Sequence, residues 1–402
     1  PGPYAIDAYV DWGDGSAIEH FNGNTQTLDI GSIVHTYTTS GIKNVKVSGI
    51  FPQISIRNES RLISVEKWGG QAWRCLERAF RDSTNLDVTA TDIINLSNID
   101  LSSTQLYQMF RSCTSLVGTS AFGSWDVSGL TSLRFLFYNC NSFNQDISSW
   151  DMSNIEDIDY LFNGCTIFNQ DISGWNVSSV TSMNRTFGTT NMIGLDLSSW
   201  DVSNVENMSE LFRSATHIPI GISSWDTSTV TNFNYIFGST TPAVIPDITS
   251  WDISNATNIS SMFVSSTFDQ DISGWSINPA VTALSDMFFG TPFNQDITGW
   301  NVSNITFFGG VFRNNTAINQ DFSTWDISNA TSLWRMFDNV TTLSTANYDA
   351  MLIAWEALGP PINLSTHFGT TQYTKAPSAA ATAHASLLST YNWTIIDGGP
   401  TP

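Results

Sequence analysis

Nine tryptophans, Trp125, Trp150, Trp175, Trp200, Trp225, Trp251, Trp275, Trp300 and Trp325, recur at intervals of 24 to 26 residues. Twelve residues after most of them stands a phenylalanine: Phe137, Phe162, Phe187, Phe212, Phe237, Phe263, Phe312 and Phe337, with Phe288 one place late. Phe80 and Phe110 extend this second column backwards into two units that lack the tryptophan. Self-similarity at a fixed period of this length implies a stacked repeat, because one unit cannot bury Trp, Val and Phe while neighbours can. The tryptophan column is therefore read as core rather than as a sugar or cofactor platform.

Within one repeat, Ile147, Trp150 and Met152 have the apolar-x-x-apolar-x-apolar spacing of a leucine-rich-repeat strand. Ile155, Ile158, Leu161 and Phe162 then follow at helical spacing. Ser153 with Glu156, and Ser203 with Glu206, have the form of capping boxes, and Asn278 before Pro279 is a further helix start. The expected fold is an α/β solenoid: a leucine-rich-repeat-like stack of about eleven strand–helix units over residues 53–340. A small β-rich N-terminal cap (1–52) and an α+β C-terminal cap leading into a linker (341–402) complete it.

The ends have lost the period. Tyr4 to Val10 alternates as a strand and leads into Asp11-Trp-Gly-Asp-Gly15, a tight-turn signal. Val34-His-Thr-Tyr37 through Val45-Lys-Val47 forms a second alternating run, joined at Ser40-Gly41. Past Phe337, helices are expected around Tyr348–Trp355 and Ala379–Leu388, with a last strand at Trp393–Ile396. The chain begins at Pro1 rather than Met, which points to a processed chain or a segment of a longer one.

Two resemblances follow from these residues. The Trp-Gly-Asp-Gly turn with the His-x-Tyr run resembles part of a polycystic-kidney-disease-type β-sandwich domain. The motif Phe143-Asn-Gln-Asp-Ile-Ser-Ser-Trp-Asp-Met-Ser-Asn154, recurring from about residue 120 to 340, resembles the BspA-like leucine-rich-repeat surface proteins. That resemblance implies a secreted or cell-surface protein, in many cases proposed as an adhesin, with related arrays in some phage virions and no characteristic catalytic residues.

Composition narrows the function classes. With 41% hydrophobic and 12% aromatic residues the chain is not of the disordered class. Fifteen basic against 36 acidic residues give a net charge of −21, which opposes binding to nucleic acid or adsorption to anionic lipid. No apolar run approaches the length of a membrane span. The five histidines share no metal-ligand spacing with the four cysteines, and no nucleophile elbow, phosphate loop or dinucleotide motif is present. His35 is read as structural, and Asp11-x-x-Asp14-Gly15 as a turn rather than a calcium loop. Cys113, Cys140 and Cys165 each stand three residues after the Phe column; a column of small half-buried residues and a disulfide between neighbours are both open.

Two acidic columns are the candidate sites. Asp126, Asp151, Asn176, Asp201, Asp226, Asp252, Asn301 and Asp326 follow the tryptophans and form the expected partner-binding face. Asp146, Asp171, Asp196, Asp247, Asp271, Asp296 and Asp321 precede them by four residues. At about 5 Å each neighbouring pair costs up to roughly 1 kcal/mol even in water. Turn hydrogen bonds, bound Ca²⁺ or a basic partner would offset that; turn bonding is preferred for the second column, with Ca²⁺ as its possible cofactor. The expected function is non-enzymatic, extracellular recognition of a protein or glycan on a cell surface. A virion or filament component that self-assembles is the first alternative, and a hydrolase with a site beside the C-terminal cap the second.

Overall fold

The computed structural model describes residues 6–23, 27–30, 33–240 and 244–402. Tyr4, where the first alternating run was placed, lies outside them. The chain divides into two compact units, Pro1–Val180 and Thr181–Pro402. The division falls inside the periodic region.

In the first unit the alternating run forms β1 (Ile6–Asp11), whose Ile6, Ala8 and Val10 are buried. It is the centre of an antiparallel sheet between β2 (Glu19–Gly23) and β4 (Lys46–Ile50). The short strands β3 (Thr27–Asp29) and β5 (Gln53–Ser55) pair in parallel, as do β6 (Ser64–Val65) and β7 (Asp87–Val88). His35 lies flat on Trp12 with ring centroids 4.7 Å apart, and its Nε2 is 2.9 Å from Asp14 Oδ2.

The strand–helix solenoid expected for the repeats is not what forms. Among the described residues there are two α-helices and nine short strands in four small separate sheets, and both helices lie beyond residue 344. The stretch from Ser153 to Cys165 is a run of turns, and no strand is assigned at Trp150. Parallel bridges fall instead five residues before the Phe column, as Ser132↔Asp157 in the first unit and Asn207↔Asn232↔Asn258 in the second. The capping boxes do not cap. The Ser153 amide donates to Asp151 Oδ1 and the Glu156 amide to the Thr131 carbonyl; the Glu206 amide donates likewise to Thr181. Asn278 closes a turn by accepting from the Ala280 amide.

Backbone geometry explains why the described repeats hold no α-helix, only short 3-10 turns at Ser120–Ser124, Ile222–Ser224 and Phe322–Thr324. Each repeat places two residues in the left-handed region, four apart: Phe135 and Asn139, Tyr160 and Gly164, Glu210 and Ser214, Tyr235 and Ser239, Asp286 and Gly290. A left-handed residue cannot continue a right-handed helix, and a non-glycine there costs about 1–2 kcal/mol. Bonds to the next repeat offset that cost. The amides of Leu133, Phe135, Phe137 and Asn139 donate to the carbonyls of Asp157, Asp159, Leu161 and Asn163, while Leu136, Tyr138 and Cys140 bond within their own turn.

The side chains stack in the same register. In the first unit Trp125, Trp150 and Trp175 lie parallel at 6.3 and 6.4 Å, and Phe110, Phe137 and Phe162 at 6.1 and 6.2 Å. In the second, Trp200, Trp225 and Trp251 are spaced at 6.4 Å, and the Phe column runs from Phe187 to Phe337. Both columns are buried. Each buried indole needs a partner for its N–H. Trp150 donates to the Phe122 carbonyl at 2.8 Å and Trp225 to Leu197 at 3.0 Å. Trp275 Nε1 alone among the array tryptophans is buried with no acceptor among the described residues.

The C-terminal elements sit where expected: α1 (Thr345–Ala357), capped by Ser344, α2 (Ala379–Ser389), capped by Ser378, and β9 (Thr394–Ile396), parallel to β8 (Ser365–His367). They also extend both columns past the last repeat. Trp355 on α1 donates its indole N–H to the Phe322 carbonyl, and Phe368 stacks on Phe337 at 5.4 Å.

Candidate functional site

The column after the tryptophans is a row of side-chain-closed turns. In the first unit, Asp126 Oδ1 accepts from the Ser128 amide at 3.2 Å and hydroxyl at 2.6 Å, Asp151 Oδ1 from the Ser153 amide, and Asn176 Oδ1 from both groups of Ser178. In the second unit Asp201, Asp226, Asp252, Asn301 and Asp326 accept in the same way from Ser203, Ser228, Ser254, Ser303 and Ser328. These side chains are exposed, apart from the half-buried Asp326. Hydrogen bonds from the serine hydroxyl and amide hold Asp151, Asp201, Asp226 and Asp326 below the ordinary carboxylate range. Asp226 pulls Asp201 the other way, and the serine outweighs it.

The column before the tryptophans repeats the device one turn earlier. Asp146 and Asp171 in the first unit accept from the amides of Ser148 and Ser173, each at 3.0 Å. Asp196, Asp247, Asp271, Asp296 and Asp321 in the second accept from Ser198, Thr249, Ser273, Thr298 and Ser323. Asp271 raises the pKa of Asp296, but bonds from Thr298 leave it lowered overall. As for calcium, no group of three or more His, Cys, Asp or Glu side chains converges as a metal site among the described residues. Each carboxylate is engaged by its own turn.

Cys113, Cys140 and Cys165 are buried and free. Each Sγ lies within 3.1 Å of the carbonyl of the Phe one repeat earlier, Phe80, Phe110 and Phe137. Where the column carries Thr190, Thr240, Ser266 or Thr291, the hydroxyl donates to the Phe carbonyl of its own repeat. Burial pushes the Cys113 thiol up to about 12.

Two sets of residues were not assigned a role from the sequence. The Asn and Gln of the Phe-Asn-Gln-Asp motif bracket neighbouring repeats. Asn144 Oδ1 accepts from the Asn169 amide and Gln170 Nε2, and Asn294 Oδ1 does the same for Asn319 and Gln320. Their signal was their recurrence. The second set is a band of arginines and aromatics beside the Phe column. Arg185 and Arg213 pair with Glu210 at 2.9 and 2.8 Å, Arg213 lies over Tyr235, and Arg335 pairs with Asp338 at 2.6 Å.

A shallow polar depression in the second unit is lined by Asn204, Glu206, Ser228, Thr229, Thr231 and Asn255. Among the described residues no helix is long and apolar enough to cross a membrane.

Repeated turns closed by Asx–Ser pairs, with stacked aromatic columns inside, define a tandem-repeat protein. The family model described as "Mycoplasma protein of unknown function, DUF285" matches four overlapping segments, residues 74–194, 104–218, 181–291 and 278–357. Together they cover well over half of the chain, and the chain belongs to this family. No curated protein and no solved structure matches it.

Proposed function

We propose that this chain is a non-enzymatic recognition protein of the cell exterior, binding a protein or glycan partner through its exposed turn columns. One observation carries the reading: exposed carboxylates and amides repeat once per rung, each with one oxygen fixed by its own turn. A fixed oxygen sets the other polar atom, a carboxylate oxygen or an amide nitrogen, at a defined place, so a partner meets a preorganised row. The resemblance of the Phe-Asn-Gln-Asp-Ile-Ser-Ser-Trp-Asp motif to the BspA-like surface proteins supports an extracellular location. That of the Trp-Gly-Asp-Gly turn to a polycystic-kidney-disease-type domain supports the same setting.

A partner for these columns is cationic or hydroxyl-rich, and its binding weakens as salt rises. The test replaces Asp201, Asp226 and Asp252 together with Asn. Asn176 and Asn301 show that Asn closes the same turn, accepting from the serine amide and hydroxyl. The triple variant should melt within a few degrees of the parent, as surface substitutions do. On a glycan array and in whole-cell binding it should bind more weakly than the parent. Equal binding would refute the assignment of these columns to a partner.

A further inference from the structure

Between residues 75 and 340 there is no lysine, and every arginine falls within three positions of the Phe column: Arg78, Arg81, Arg111, Arg134, Arg185, Arg213, Arg313 and Arg335. The aspartate columns are monotonous from repeat to repeat, whereas this band changes residue at each one. Comparison of the repeats with one another thus separates positions that build the turn from positions that the turn leaves open.

In the first compact unit the band is densest. Tyr107, Phe135, Tyr138 and Tyr160 are half-buried and form one connected set: Tyr107–Phe135 at 5.7 Å edge-on, Phe135–Tyr160 stacked at 4.4 Å, and Tyr138–Tyr160 at 6.0 Å. Arg78 lies over Tyr107, Arg134 over Phe135 and Arg111 over Tyr138. Three neighbouring arginines have carboxylate partners: Arg78 with Glu77, Arg81 with Asp82 and Arg134 with Asp159. Arg111 has none among the described residues, and its Nε is buried without a hydrogen bond.

We infer that this patch is a second contact surface, which takes a protein segment presenting a carboxylate to Arg111 and apolar side chains to the tyrosines. The inference rests on the reading of the chain as a recognition protein but assigns the contact to residues other than the aspartate columns. Tyrosine and arginine are the residues enriched at the anchor points of protein interfaces. A guanidinium held over a ring is preorganised for a two-pronged carboxylate bond through its terminal nitrogens. The ring faces taken by Arg78, Arg111 and Arg134 are those a sugar would stack on, so a peptide is favoured over a glycan.

The two surfaces answer salt oppositely. The net charge of −21 repels an acidic segment at long range, so added salt leaves this binding unchanged or tighter. The test selects a displayed library of random peptides on the whole chain. Enriched peptides should carry Asp or Glu beside an apolar residue, and should lose at least about tenfold in affinity for Arg111→Gln and when their own acid is made an amide. Arg111→Lys, which keeps the charge without the planar fork, should lose part of it, and thermal melts of both variants check that they fold. The Asp201/Asp226/Asp252 triple Asn variant should bind these peptides as the parent does. Basic peptides lost with the triple variant would support the aspartate columns and overturn this patch. Peptides without an acid, no enrichment, or equal binding by a folded Arg111→Gln would also overturn it.

Discussion

Trp225 shows what a single residue does in this array. It is 4% exposed, lies between Trp200 and Trp251 at 6.4 Å on either side, and donates to the Leu197 carbonyl. Trp225→Ala removes two stacking contacts and leaves a cavity and an orphaned carbonyl, at a cost of about 3–5 kcal/mol. Denaturant unfolding should show that loss; a change below about 1 kcal/mol would mean the column is not core. The thiols give a second residue-level test. Cys113, Cys140 and Cys165 are buried and Cys113 is raised to about 12, so the reactive thiolate is scarce near neutral pH. All three should resist alkylation in the native protein and react on unfolding, as read by mass spectrometry. Fast labelling of the native chain, or a Cys113–Cys140 disulfide, would contradict the structure.

At the scale of elements, Asp397 ties the C-terminal pieces together. Its Oδ2 accepts from the Tyr348 hydroxyl on α1 and lies 3.1 Å from His384 Nε2 on α2, while Oδ1 accepts from the Gly399 amide. Burial pushes its pKa up, but the bonds from His384, Tyr348 and Gly399 outweigh burial and leave it lowered. A lowered folded-state pKa means the stabilisation is complete above the unfolded value of about 3.9 and is lost as pH falls through the folded value. Asp397→Asn should therefore melt below the parent at pH 6, with the gap closing in acid. A gap that widened in acid would refute this. The turns make a prediction as well. Because each aspartate column is bonded within its own turn, chelator should shift the melting temperature by under about two degrees, and a fall beyond about ten would establish a bound cation.

The same elements show what the sequence could and could not convey. Helices α1 and α2 were legible from the apolar pattern of Tyr348–Trp355 and Ala379–Leu388, and the structure adds the Ser344 and Ser378 caps that the sequence reading left out. In the repeats, Ile155, Ile158, Leu161 and Phe162 have helical spacing but are buried from successive turns. The left-handed residues that break the helix are Tyr160, Glu210 and Tyr235 as often as glycine, and nothing in such side chains announces a positive φ. The aspartate columns were legible as positions, while their serine partners were read as helix caps because Ser-x-x-Glu carries that meaning elsewhere. Arg111 could not be singled out at all, since its lack of a carboxylate depends on which side chains the turns bring together.

For the molecule as a whole, a periodic aromatic interior is the source of order and the variable band beside it is where repeats differ. The repeats are packed turns, and among the described residues α-helix is confined to the C-terminal region. The most direct test is backbone NMR of the deuterated chain, reading Cα and Cβ secondary shifts residue by residue. Continuous α-helical shifts should run through Thr345–Ala357 and Ala379–Ser389, with no more than short 3-10 turns at Ser120–Ser124, Ile222–Ser224 and Phe322–Thr324 and left-handed values at Tyr160, Glu210 and Tyr235. Continuous helical shifts from Ile155 to Phe162, and at the same positions of the other repeats, would contradict it.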